Sequence, residues 1–125
     1  MLSVSGTMAC GSTPTTPDFI NSISFVSRLQ ERGSAWRTFS VTTAGTVTVQ
    51  LTGITQTNAV MGLGLGTVVS NNCVLTQSLQ TTASSAVDAP QIKTTLAVGQ
   101  YCVKLYDIGQ LTSIVDFSIL ITTPY

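Results

Sequence analysis

The sequence predicts an all-β protein, a jelly-roll-like β-sandwich of about eight strands that follows an extended N-terminal arm. Ser and Thr account for 35 of the 125 residues, whereas the helix formers Glu, Lys and Arg together number only six. Apolar and polar residues alternate in short runs, as in half-buried strands. Clusters of Gly, Pro, Asn, Asp and Ser recur about every 8–12 residues, which is the turn spacing of a sandwich.

The chain length fits one domain with a single core. We divide the chain into an N-terminal arm with a Pro/Thr linker, residues 1–17, and a β-sandwich, residues 18–125. The first strand is predicted at 23–29. A hairpin is predicted next, in which strands 38–42 and 46–51 flank a turn at Ala44 and Gly45. Further strands are expected at 59–67, 73–80, 91–96, 100–106 and 113–122.

Alternation also predicts which side chains form the core, because successive residues of a strand point to opposite faces. Asp116 and Ser118 should then point outward. The inward set is Phe39, Val41, Val47, Val49, Leu51, Leu63, Leu65, Tyr101, Val103, Leu105, Val115, Phe117, Ile119 and Ile121.

The stretch MGLGLGT, residues 61–67, has a glycine at every second position. A dinucleotide-binding fingerprint requires a glycine where Thr67 stands and a helix afterwards, but Val68 and Val69 continue an extended pattern. A phosphate loop would require a Gly-Lys-Ser/Thr ending, which is also missing. We therefore expect Gly62, Gly64 and Gly66 to form a close-packing face, where a backbone or an aromatic ring approaches the strand.

Composition and charge exclude several classes of function. Five basic residues balance five acidic ones and only 8% of residues are charged, so we expect no nucleic-acid partner. No apolar run of about 18 residues occurs, so we expect no transmembrane segment. So few charges provide little repulsion between copies, which favours secretion, decoration with glycans or self-assembly.

Catalytic and metal-binding patterns are also sparse. The chain has no histidine, which removes the commonest general base and metal ligand, so we expect no enzyme, no catalytic residues and no cofactor. Asp88 and Asp107 precede predicted turns, where aspartate bonds to nearby backbone N–H groups. A calcium site would require several oxygen ligands at close spacing, and the sequence has no Asp/Glu cluster.

Cys73 and Cys102 lie in separate predicted strands, and a disulfide between them is the favoured interpretation. Two free thiols are the alternative.

The group Arg28, Arg32, Trp36 and Arg37 is a candidate patch for a sugar or a protein partner, called the Arg/Trp patch below. The alternative is a solvated hairpin loop with the tryptophan packed against the edge of the sandwich.

From about residue 36 to residue 124 the chain resembles the bacterial pre-peptidase C-terminal family of extracellular jelly-roll modules. The segments that carry the resemblance are TFSVTTAGTVTVQLTGI, LGLGLGT, LAVGQYCVKLYDIG and VDFSILITTP. The resemblance implies a β-sandwich without catalytic residues of its own, and it supports pairing Cys73 with Cys102. Such modules usually accompany a secreted enzyme, whereas we expect this one to act alone, either by binding a partner or by assembling into a larger structure.

The N-terminal arm has its own alternating pattern, in which Leu2, Val4, Gly6 and Met8 share one face of a predicted strand. Cys10, followed by a Pro/Thr stretch, resembles a bacterial lipoprotein junction, although the residues before it lack a complete signal. A strand set apart by a linker can add to the sheet of another copy, which produces a head-to-tail polymer.

Two functions follow from these expectations. The first is a non-catalytic extracellular structural protein, a fibre or surface layer whose partners are other copies of itself. The second is an accessory module, tethered to the cell surface, that binds carbohydrate or protein through the Arg/Trp patch.

Overall fold

A computed structural model describes residues 20–87 and 89–124, which form eight strands and no helix. The strands form two four-stranded antiparallel sheets, which confirms the all-β sandwich. The predicted arm and its linker, residues 1–17, lie outside the described residues. The strands are β1 Ile20–Leu29, β2 Ser34–Val41, β3 Gly45–Ile54, β4 Met61–Val69, β5 Asn72–Thr81, β6 Ile92–Leu96, β7 Gly99–Asp107 and β8 Val115–Pro124.

The first sheet has the strand order β1-β8-β3-β6, and the second has the order β2-β7-β4-β5. Among these strands only β4 and β5 are both consecutive in sequence and paired with each other. Their connection contains Ser70 and Asn71, both with positive φ (50° and 63°), as a tight two-residue hairpin turn requires. No other consecutive strands pair with each other, so the fold depends on pairings that are distant in sequence.

The predicted hairpin between residues 38 and 51 is wrong. β2 belongs to the second sheet, where it pairs with β7, whereas β3 belongs to the first sheet between β8 and β6. The segment around Ala44 therefore crosses from one sheet to the other. The physical reason is that both strands face one core from opposite sides, and alternation reports a buried face without identifying the neighbouring strand.

The core lies between the two sheets, and the predicted inward set is confirmed. Thirteen of its fourteen members are buried, and Tyr101 is half-buried and packs against them. Asp116 is exposed, as predicted. Alternation did not identify a further group that also joins the core. Phe25 lies in the middle of β1, and the other members lie at strand ends or in connections: Leu29, Ile54, Ala59, Met61, Ile92 and Leu111.

Candidate functional site

The disulfide is present and lies on the side of the second sheet that faces away from the core. Cys73 and Cys102 are bonded, with their Cα atoms 5.8 Å apart. In β7, Cys102 alternates with the core residue Val103, and it stands opposite Gly66 of β4. The bridge therefore joins β5 to β7 across the outer face of β4, which confirms the predicted pairing and shows that it does not connect the two sheets.

The glycines of β4 lie beneath other parts of the same chain. A Cβ atom placed on Gly62 would lie 2.1 Å from Cε2 of the Tyr106 ring. On Gly64 it would lie 2.5 Å from Cδ1 of Leu75. All three glycines are buried. The stripe thus accommodates an aromatic ring and a leucine side chain that pack directly on the β4 backbone.

Gly66 has the closest neighbour of the three. A Cβ atom there would lie 1.9 Å from the backbone oxygen of Val74. The register between β4 and β5 shifts at this point, since Leu65 pairs with Gln77 whereas Gly66 pairs with Leu75. This β-bulge brings the start of β5 over the outer face of β4, where the disulfide holds it.

Three members of the predicted Arg/Trp patch, Arg28, Trp36 and Arg37, do not lie together on one surface. Arg28 lies on the outer face of the first sheet, where its Nε atom contacts Oδ1 of Asp116 at 3.0 Å. Arg37 donates a hydrogen bond to the carbonyl oxygen of Ser24 at 3.1 Å and so links the edge strands β2 and β1. Trp36, 36% exposed, lies on the outer face of the second sheet opposite Lys104.

Asp107 organises the loops at one end of the sandwich. Its Oδ2 accepts the N–H of Arg32 at 2.7 Å. Its Oδ1 accepts three more backbone N–H groups, those of Gly109, Gln110 and Leu111. Burial on its own would raise the pKa of the Asp107 carboxyl, but these four hydrogen bonds outweigh it and hold that pKa below its ordinary value.

This arrangement fits the turn-forming role that the sequence favours for Asp107. Both of its oxygens are occupied by backbone donors, and Glu31 is the other carboxylate among the described residues that line the same hollow. Across residues 20–87 and 89–124 there is no group of three His, Cys, Asp or Glu side chains that could hold a metal ion.

A groove that the sequence did not reveal runs over the outer face of the first sheet, with a volume of about 560 Å³. Its floor is formed by outward side chains of β3 and β8, and its far wall is the connection between β5 and β6. Lys93 is the one charged side chain among the described lining residues. The lining is Ile20, Thr46, Thr48, Gln50, Thr52, Ser85, Ala86, Val87, Pro90, Lys93, Leu120 and Thr122.

The wall of the groove is fixed by two glutamines. Gln50 is only 7% exposed, and its Nε2 atom donates to the carbonyl oxygens of Ser84 and Ala86 at 2.7 and 2.9 Å. Gln91 bonds to both backbone groups of Leu51, on the part of β3 that extends beyond β6. The alternation of Thr46, Thr48 and Gln50 indicates an outward polar face, but it gives no sign of the connection that covers this face.

The sandwich leaves one long sheet edge without protective charges. β5 pairs only with β4, and within the described residues no backbone hydrogen bond reaches its other side. Its ten residues, NCVLTQSLQT, include no charged residue and no proline. The other three edge strands each carry one charge: Arg28 in β1, Arg37 in β2 and Lys93 in β6.

Comparison with known proteins gives no match, either to a protein-family model or to a curated protein. The resemblance to the pre-peptidase C-terminal family therefore stays a prediction. Within the described part of the chain, no helix is long and apolar enough to cross a membrane.

Proposed function

We propose that this chain is a non-catalytic extracellular structural protein whose copies assemble by strand donation, residues 1–10 of one copy adding to the free edge of β5 in the next. The observation that carries the proposal is that edge. An unpaired strand exposes a row of backbone N–H and C=O groups, and natural proteins normally block it with charges, proline or a covering segment. β5 has no such charge and no proline over its ten residues.

The proposed donor segment is complementary to this edge in length and chemistry. Residues 1–10, MLSVSGTMAC, equal β5 in length and contain no charged side chain. Their alternation gives one apolar and one hydroxyl-bearing face, which is the pattern that a strand needs when it extends a half-buried sheet. Backbone hydrogen bonds would supply the affinity, and the apolar set with Leu2, Val4 and Met8 would supply the register.

Two further observations support an extracellular, non-catalytic role. The disulfide between Cys73 and Cys102 is typical of proteins that fold in an oxidising compartment. The chain lacks histidine, and the carboxylate of Asp107 is occupied by backbone donors rather than open to a substrate.

Electron microscopy and light scattering of the purified chain test the proposal. We expect polymers for the full chain and a folded monomer after deletion of residues 1–10. A synthetic peptide of residues 1–10 should slow growth, because it occupies the acceptor edge. Val4→Asp should act like the deletion, since it places a carboxylate in the apolar contact.

Ser5→Asp is the matched control, because residue 5 lies on the opposite face of the donated strand and its carboxylate would stay in water. Equal loss of assembly in both variants, or polymers that persist after the deletion, would contradict strand donation. A full chain that stays monomeric at high concentration would favour the accessory binding module instead.

A further inference from the structure

We infer that the groove on the outer face of the first sheet is a docking site for the linker of the same chain, residues 11–17. The inference is independent of the proposed assembly, because it concerns one copy alone. It depends on where the chain enters the sandwich, on the fixed shape of the groove and on the chemistry of both partners.

The chain enters the described sandwich at the groove. Ile20 is the first residue of β1, and its side chain lines the groove. Residues 18 and 19 alone separate Ile20 from the end of the linker, so residue 17 is within about 11 Å of Ile20 along the chain. From Ile20 the groove crosses β8 and β3 toward β6 and the connection at Ser85 to Pro90.

The length of the linker fits this path. Four neighbouring strands at about 4.8 Å spacing give a distance of about 14 Å from β1 to β6. Seven residues in the extended polyproline conformation cover about 22 Å, at about 3.1 Å per residue. Pro14 and Pro17 favour that conformation. The linker can therefore cross the whole width of the first sheet.

The groove exists before anything binds, because hydrogen bonds fix its far wall. Gln50 holds the carbonyl oxygens of Ser84 and Ala86, while Gln91 ties the same connection to Leu51 and Thr82. A preformed groove spares the linker the cost of ordering its partner, which favours docking of a short segment.

The polar groups of the groove suit a segment with free backbone groups. A polyproline helix makes no internal hydrogen bonds, so its N–H and C=O groups need outside partners. The buried Oε1 of Gln50 accepts no hydrogen bond from any described residue, although its amide nitrogen makes two. The hydroxyls of Thr48 and Thr122, which bond to each other, lie beside it on the floor.

The apolar and charge properties also match. The linker, GSTPTTP, has no charged residue, and the described groove has only Lys93. The rings of Pro14 and Pro17 would pack on the apolar part of the lining, which includes Ile20, Val87 and Leu120. Docking would carry residue 11 to the β6 side, whereas a free linker leaves at β1. The groove therefore sets the side of the sandwich from which residues 1–10 depart.

Cysteine cross-linking in the full chain tests the inference. The background is Cys10→Ser with Val4→Asp, which removes the third thiol and opposes polymer formation. Thr15→Cys is combined with Leu120→Cys in the groove, and the matched control combines Thr15→Cys with Ser78→Cys on β5. After mild oxidation of dilute protein, we expect about tenfold more intramolecular link between positions 15 and 120 than in the control, because docking raises the local concentration.

Peptide mapping under non-reducing conditions measures the links, and the mass of the product shows whether one copy or two are involved. Equal links in both pairs, or links between positions 15 and 120 only in dimers, would overturn docking within one chain. Polymers of the unmodified chain, together with no excess of the 15–120 link in the double-cysteine variant, would contradict this inference alone. A 15–120 link in the double-cysteine variant, together with an unmodified chain that never polymerises, would contradict strand donation alone.

Discussion

At the scale of single residues, Gly66 is the position of β4 where any side chain is excluded by backbone. The Val74 oxygen lies 1.9 Å from the site of a Cβ atom, and β5 cannot easily withdraw because Cys73 ties it to β7. We expect Gly66→Ala to lower the free energy of unfolding by about 2–3 kcal/mol, the upper part of the range for overpacking. Urea unfolding measures this change.

Two other glycines are controls for that prediction. Gly64→Ala should cost less, because its contact is the flexible end of the Leu75 side chain, which can rotate away. Gly99→Ala should stay within about 0.5 kcal/mol, since the nearest atom to its Cβ site is the Tyr101 hydroxyl at 3.6 Å. Equal losses at all three positions would mean that loss of glycine itself, and not the contact, causes the effect.

Asp107 should make the stability depend on acid pH. Its pKa is lower in the folded chain than in the unfolded one, so its contribution to stability is present above the unfolded pKa of about 4. That contribution is lost as the pH falls through the folded pKa. We expect Asp107→Asn to lower stability by about 1–2 kcal/mol at pH 7, because a carboxamide has only one oxygen for the four donors.

Thermal melting between pH 2 and pH 7 checks this expectation. The wild type should lose stability on acidification more steeply than Asp107→Asn, and the two curves should approach each other at the lowest pH. Asp116→Asn is the control, because the partner of Asp116, Arg28, is an exposed side chain and surface ion pairs contribute little. Parallel curves for the wild type and Asp107→Asn would contradict the role assigned to the four hydrogen bonds.

At the scale of elements, the disulfide holds the hairpin of β4 and β5 against β7. Replacement of Cys73 and Cys102 by serine should lower the free energy of unfolding by about 3.6 kcal/mol, as the chain-entropy model gives for a 29-residue separation. Denaturant curves of the wild type with and without reductant measure the loss. The double-serine variant should not respond to reductant, and a response would point to Cys10.

The edge of β5 gives a prediction about assembly. Ser78→Lys with Gln80→Lys adds two charges to exposed positions of this edge, so polymerisation should fall at least tenfold by light scattering while the fold is kept. Thr57→Lys with Asn58→Lys, in the exposed connection between β3 and β4, adds the same charge away from any edge. If both pairs reduce polymerisation equally, net charge and not the edge controls it.

The same elements show how far the sequence can be interpreted. Alternation identified the buried faces of β3, β4, β7 and β8, because it is a local property of each strand. It paired β2 with β3 wrongly, because the choice of neighbour depends on contacts distant in sequence. It also placed the start of β2 at residue 38 instead of Ser34, since Trp36 and Arg37 are exposed at the sheet edge and break the apolar pattern.

The candidate sites differ in the same way, since only those marked by local sequence features could be predicted. The Cys73–Cys102 pair was predictable from its residue types and its strands, and the close packing on β4 was suggested by the spacing of its glycines. The groove was not predictable from the sequence, because its far wall comes from a connection whose position depends on the side chains of Gln50 and Gln91.

At the scale of the whole molecule, the small number of charges makes a prediction about solution conditions. Ten charged residues that sum to zero leave little electrostatic attraction or repulsion between copies. Assembly through backbone pairing and apolar contacts should therefore change less than about threefold between 50 and 500 mM NaCl. Light scattering measures the rate, and a steep fall with salt would indicate that ion pairs drive assembly instead.

The register of β1 against β8 decides how the sandwich bears tension. Ile20 lies opposite Pro124, so the chain enters and leaves the described sandwich at one corner. Tension on these two points would break the backbone hydrogen bonds between β1 and β8 one after another, because the strands are antiparallel and their ends lie side by side. A fibre would be stronger if the load reached each subunit through β5, which the disulfide ties to β7 in the centre of the second sheet.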